Sequence, residues 1–110
     1  MTDIDVVRRF RQAYEDQDVD AAQALMSEDF RFTSPQDDHI DKAEWLEKCF
    51  PTIDHFTDSR VLQLVDGGDV VLLRYEYGLH DGSRYRNAEA TTVRDGLIAE
   101  VEVYFGGRLP

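Results

Sequence analysis

Glu89 is the side chain in this sequence best placed for acid–base chemistry. It lies in Tyr85-Arg86-Asn87-Ala88-Glu89-Ala90-Thr91-Thr92-Val93. A strand repeats every two residues, so Tyr85, Asn87, Glu89, Thr91 and Val93 share one face. With Val93 turned inward before a turn, Glu89 is inward as well. A carboxylate on an apolar wall has a raised pKa, because burial penalises its charged form, and it can serve as acid or base. Val70–Leu79 supplies its partners. There Val71, Leu73, Tyr75, Tyr77 and Leu79 alternate with Arg74 and Glu76. Buried tyrosine hydroxyls need hydrogen-bond partners, so two successive inward tyrosines predict a face that lines a cavity. Two other outcomes stay open. A slip of one residue would turn Glu89 to solvent, or Tyr75 or Tyr77 could satisfy Glu89 without any catalytic role.

The remaining reactive types are less well supported. Ser34 with His39 invites a nucleophile reading, but no glycine-flanked elbow surrounds Ser34. A strand-end turn residue is the simpler reading. Asp37, Asp38 and His39 are neighbours in one polar loop and cannot close a metal site without ligands from elsewhere. His55 and His80 fall in loops or at strand ends. Trp45 and Cys49 are four apart on one helix face, packed into the core or lining the pocket. A buried thiol without basic neighbours is inert. No metal and no cofactor are expected.

These residues need elements to position them. Ile4, Val7, Phe10 and Tyr14 recur at helical spacing over Asp3–Asp16, with Arg8, Arg9 and Arg11 away from the stripe. Thr2 or Asp3 can cap that helix. Asp18 caps a short helix over Val19–Met26. Phe30 and Phe32 form a short strand that stops at Pro35, followed by a polar loop at Gln36–His39. Asp41 caps a third helix over Lys42–Phe50, ended by Pro51. Strands are predicted over Phe56–Val65, Val70–Leu79, Tyr85–Val93 and Leu97–Phe105, joined by Gly-containing turns and followed by a tail from Gly106. Helices first and an antiparallel meander afterwards predict an α+β domain, its helices covering one face of a curved sheet.

The chain has 110 residues and a formal charge of −11. That length suits a single domain, 1–110, with one core. A strongly acidic surface repels phosphate, so nucleic acid and anionic membranes are poor partners. Only Lys42 and Lys48 are lysines, and the acids are mostly Asp, a bias consistent with a high-salt interior or with genome composition. No run approaches the roughly 20 apolar residues of a membrane helix. Met1–Asp5 is acidic and has no apolar core, so no signal peptide is expected. Cys49 is alone, so no internal disulfide forms and a cytoplasmic location is expected.

Several segments resemble, in order, the nuclear transport factor 2-like superfamily in its SnoaL-like and ketosteroid-isomerase-like branch. They are Val6-Val7-Arg8-Arg9-Phe10, Asp18-Val19-Asp20, Leu25-Met26-Ser27-Glu28-Asp29-Phe30, Ser34-Pro35, Val93-Arg94-Asp95-Gly96-Leu97-Ile98 and Glu102-Val103-Tyr104-Phe105-Gly106. The resemblance implies a conical α+β barrel with an apolar pocket, often a homodimer through the outer sheet face. It implies no single chemistry, because relatives include isomerases, dehydratases, epoxide hydrolases, cyclases and plain binding domains. The isomerases place a carboxylate base just before the proline ending the first strand; Ser34 stands there. Their oxyanion-holding tyrosine on the first helix corresponds to Phe10, and Tyr14 lies one turn on. A second oxyanion donor, a protonated aspartate, falls close to Glu89. Steroid-type isomerisation needs both base and oxyanion hole, so that activity is not expected.

The expectation is a domain that binds a small apolar or amphipathic molecule. Phe10, Tyr14, Trp45, Leu73, Tyr75, Tyr77, Val103 and Phe105 would wall its pocket, with Val71 and Val101, and Glu89 would be the acid–base group. Isomerisation, cyclisation or dehydration without a cofactor is the chemistry such a site could perform. The competing expectation is a non-catalytic homodimeric module with no open pocket. Arg74, Glu76, Glu100, Glu102 and Tyr104 would face outward, beside Val70 and Leu72.

Overall fold

The computed structural model describes residues 1–110. Two helices come first, α1 (Asp3–Asp16) and α2 (Val19–Ala24). Strands β1 (Met26–Ser34) and β2 (Asp37–Asp41) follow, then α3 (Lys42–Lys48) and a 3-10 helix (Phe50–His55). Four long strands end the chain: β3 (Phe56–Asp66), β4 (Val71–Leu79), β5 (Arg84–Arg94) and β6 (Leu97–Arg108).

The helix starts are set by local chemistry. The Thr2 hydroxyl accepts from the Asp5 amide at 3.2 Å while the Thr2 amide donates to Asp5 Oδ2 at 3.0 Å, a complete capping box. Asp18 accepts from the Ala21 amide and Asp41 from the Glu44 amide. Gln17 ends α1 in the left-handed region at φ 54°.

One six-stranded sheet, in the order β2-β1-β6-β5-β4-β3, curves around the helices without closing. The β3–β6 meander is antiparallel, as its turns require. The sheet as a whole is not antiparallel, because β1 pairs β6 in parallel, Phe32 opposite Val101. The two strands meet through a long crossover, which only a parallel pairing needs.

Four boundaries correct the sequence expectations. Met26 belongs to β1, not to α2: it pairs with Ile98, and the Ile98 amide donates to Leu25 O at 2.7 Å. The polar stretch at 37–41 is a strand, because its backbone pairs with β1 and Ile40 is buried opposite Phe32. Pro51 does not end helical backbone altogether. It opens the 3-10 helix, where a first-turn residue needs no amide donor. The segment from Gly106 is no tail, since β6 runs on to Arg108 opposite Tyr85. Gly106 permits this: a Cβ there would lie 2.2 Å from the Arg86 carbonyl oxygen.

The core lies between α1, α3 and the inner sheet face, with Val6, Val7, Phe10, Phe30, Trp45, Phe50, Val71, Leu73 and Ile98 buried. Phe10 stacks on Trp45 at 5.3 Å between centroids, and Phe30 and Phe50 meet the same indole edge-on. Burying such aromatics contributes on the order of 2–3 kcal/mol each.

Candidate functional site: an apolar cavity with a tyrosine–glutamate pair

Beyond this packed end, the inner sheet face parts from the helices and leaves a cavity of about 630 Å³. That lies within the roughly 300–1,000 Å³ usual for small-molecule sites. The strand register aims the polar side chains into it. Tyr75 stands opposite Asn87 and Leu73 opposite Glu89, so Tyr75 and Glu89 are diagonal neighbours on one face. The Tyr75 hydroxyl donates to Glu89 Oε1 at 2.8 Å, and Asn87 Nδ2 donates to Tyr75 Oη at 3.3 Å. Glu89 Oε2 accepts nothing from the protein. No buried polar atom lacks a partner, so Oε2 touches the open cavity.

Burial raises the Glu89 pKa above the ordinary carboxylate value, and Arg11 and the Tyr75 bond oppose that only in part. Burial and the adjacent Glu89 also push the Tyr75 phenol upward, so it stays protonated and keeps donating. Glu89 is thus held at one oxygen and free at the other. A carboxylate in that state can take a proton from a ligand and return it elsewhere.

Phe10, Tyr14, Trp45, Tyr75, Tyr77, Glu89, Val101, Val103 and Phe105 all line the cavity. Leu73 does not. It is 3% exposed within the packed core, as is Val71 at 1%, because both lie on the part of β4 that the helices cover. Tyr14 donates to Thr52 Oγ1 at 2.8 Å, since the Thr52 proton is committed to Cys49 O. Tyr77 packs flat on Tyr85 and edge-on to Phe56.

Arg11 does not lie away from the apolar stripe as the sequence reading expected: it lines the cavity. The signal was present. Arg11 follows Val7 by four residues and precedes Tyr14 by three, the spacing of one helix face. Cys49 also lines the cavity, and burial lifts its thiol to about 11.

The other candidates are not brought together. Ser34 Oγ bonds Asp37 and the Gln36 amide, a turn arrangement. His39 pairs with Asp38 at 2.6 Å and faces Glu100, outside the cavity. His80 Nε2 donates to Asp54 O, and His55 sits exposed on the cavity lining. No group of three or more His, Cys, Asp or Glu is gathered closely enough to hold a metal.

A family profile described as the SnoaL-like domain matches residues 7–101. The chain belongs to the SnoaL-like family. Among solved structures, this SnoaL-like domain is similar to a nuclear transport factor 2-like protein of unknown function from Cytophaga hutchinsonii (TM-score 0.79, 22% identity, covering 96% of this chain and 90% of that one). It is similar to a proposed polyketide cyclase from Sinorhizobium meliloti (TM-score 0.78, 22% identity, 90% and 93%). A proposed ketosteroid isomerase from Kribbella flavida is also similar (TM-score 0.76, 20% identity, 96% and 78%). At these identities the likeness is one of fold. No curated protein matches the chain.

Proposed function

We propose that this SnoaL-like domain binds a small, mostly apolar organic molecule in its cavity and that Glu89 moves a proton on it. One observation carries this reading: Glu89 is anchored by Tyr75 at 2.8 Å through one oxygen and open to the cavity through the other. Such a base removes a proton from one carbon, and its conjugate acid returns a proton to another position. In isomerisation that proton returns to carbon. In an aldol-type cyclisation the carbanion attacks a carbonyl carbon and the proton goes to the resulting alkoxide. In dehydration the proton goes to the departing hydroxyl, which leaves as water. None of the three needs a cofactor. The names of two structural neighbours, a cyclase and an isomerase, belong to the same class. By the family resemblance Ser34 and Phe10 stand where the isomerases have their base and oxyanion tyrosine, so neither supplies that chemistry here, and Glu89 is the carboxylate in the lining to which we assign it.

The test is exchange of α-hydrogens of small cyclic ketones into D2O, followed by proton NMR. Wild-type protein accelerates exchange over buffer and Glu89→Gln does not. Exchange no faster than buffer, or unchanged by Glu89→Gln, removes Glu89 as the base. Stabilisation by the ketones without exchange leaves a binding module.

We infer further that two copies pair through the outer sheet face. Val65, Leu72 and Tyr104 are exposed there at 42%, 47% and 57%. On the β3–β5 side Arg60 and Arg86 flank Glu76, which is buried beneath them at 8% exposure, and Arg74 lies beside them, while Glu100 and Glu102 lie on β6. The face thus carries a net positive side and a negative side that a two-fold pairing could oppose. Light scattering showing a monomer at about 0.1 mM, where a weak dimer of micromolar Kd would still be populated, would remove that inference. No helix is long and apolar enough to cross a membrane. The single free thiol fits the cytoplasm.

A further inference from the structure

The cavity lining holds a charged donor that proton transfer by Glu89 leaves without a task. Arg11 reaches in from α1, its side chain 21% exposed. Its guanidinium carbon lies over the Tyr75 ring at 5.0 Å from the centroid. One nitrogen, Nη2, donates to Ser59 Oγ at 3.1 Å and stands 3.9 Å from Glu15 Oε1. Nε and Nη1 donate to nothing in the protein, and neither is sealed from open space. A guanidinium carries five N–H donors, so most of this one is unused.

The surroundings narrow what it could bind. The other lysine or arginine in the lining, Lys48, is taken up by Glu44 at 2.6 Å. Arg11 has no carboxylate partner at hydrogen-bonding distance, and Glu15 is half exposed. A partly buried cation with free donors is costly unless an acceptor meets it. The ring beneath fixes the guanidinium, which lowers the ordering cost of a planar, forked contact. Phe10, Trp45 and Val103 leave the rest of the cavity apolar.

We infer that the ligand is a small amphipathic carboxylate, its anionic end bound by the unused N–H donors of Arg11 and its hydrocarbon part against Phe10, Trp45 and Val103. The inference rests on the cavity being a ligand site. A carboxylate offers two oxygens to the donors Arg11 has left, Nε or Nη1 together with the second N–H of Nη2, and a single charge to match them. A phosphate dianion would bring a second charge into a lining that also holds Glu15, Asp37 and Glu89, with no second free cation.

Calorimetry and thermal shift with matched probes test this: octanoate against octan-1-ol, and cyclohexanecarboxylate against cyclohexylmethanol. Ionic strength of about 0.15 M screens distant acids beyond about 8 Å. Each acid is expected to bind about 10- to 100-fold more tightly than its alcohol, the worth of a hydrogen bond to a charged group. Arg11→Gln should erase that preference while keeping alcohol binding, and Arg11→Lys should keep part of it. Alcohols binding as well as acids would overturn the role of Arg11 and leave the cavity reading standing. A preference untouched by Arg11→Gln would do the same. No binding by any probe would sink both readings together. The wild-type contrast and Arg11→Lys decide the matter even where near-UV circular dichroism shows Arg11→Gln misfolded.

Discussion

Replacing Glu89 by Gln should make the protein more stable at pH 8 and leave it nearly unchanged at pH 4. Glu89 has its pKa raised by burial above the ordinary value of 4.5. Below 4.5 it is protonated both folded and unfolded, and it favours neither state. Between 4.5 and its folded value the unfolded chain has lost the proton and the native protein still holds it. Stability therefore falls as pH rises through that window, and the decrement reaches its full size and stays constant above the folded value. The slope is at most about 1.4 kcal/mol per pH unit, and each unit of elevation removes about 1.4 kcal/mol in total. The substituted glutamine keeps an amide oxygen for the Tyr75 hydroxyl and carries no charge, so the variant escapes this loss. Asp5, Asp29, Asp58 and Asp81, whose pKa values are lowered by hydrogen bonds, lose stability in acid instead. Both proteins share them, so they cancel in the difference. The assay is urea unfolding of both proteins from pH 4 to 8, plotted as variant minus wild type. A rise with pH that starts near 4.5 and continues until the Glu89 midpoint is passed is the expected curve. A flat difference, or wild type gaining on the variant as pH rises, would show that Glu89 is not desolvated and would refute the reasoning.

Tyr75→Phe should cost about 1.5–3 kcal/mol at pH values above the Glu89 titration, the worth of a hydrogen bond to a charged group, and less at pH 4 where Glu89 is neutral; a loss that does not change across that titration would contradict the pairing. Trp45 is the single tryptophan and touches the cavity, so a bound apolar ligand should shift its emission, whereas ligand binding with unaltered fluorescence would place the ligand elsewhere. Cys49, lifted to about 11, should react with a thiol reagent at pH 8 far more slowly in the native protein than in urea; comparable rates would mean the thiol is not protected. With a charge of −11, the Tm should rise from dilute buffer to molar KCl as self-repulsion is screened, and a constant Tm would deny that repulsion matters.

Local chemistry sufficed for what depends on neighbours along the chain. Thr2, Asp18 and Asp41 mark helix starts because short polar side chains satisfy free amides. Alternation turned Tyr75 inward on β4 and, with Val93 inward, Glu89 inward on β5; the pairing register of the two strands then made them neighbours on one face and removed the slip that would have exposed Glu89. The same alternation could not separate Leu73 from Tyr75. Both point inward, and only the position of the helices above the sheet decides that Leu73 is packed and Tyr75 faces space. Polar composition hid β2, because its place in the sheet comes from backbone pairing with β1 and not from its side chains. The parallel pairing of β1 with β6 joins segments some 70 residues apart, a contact no local pattern encodes. Arg11 shows the limit most plainly. A charged residue beside an apolar stripe is read as surface, since burial of a lone charge is costly. Tertiary structure turned that flank of α1 toward an open cavity, where the guanidinium stacks on Tyr75 and keeps free donors. Residue spacing therefore turned Tyr75 and Glu89 inward, whereas the turn of Arg11 toward the cavity, and which inward side chains meet empty space, were settled by how far the sheet curves away from the helices.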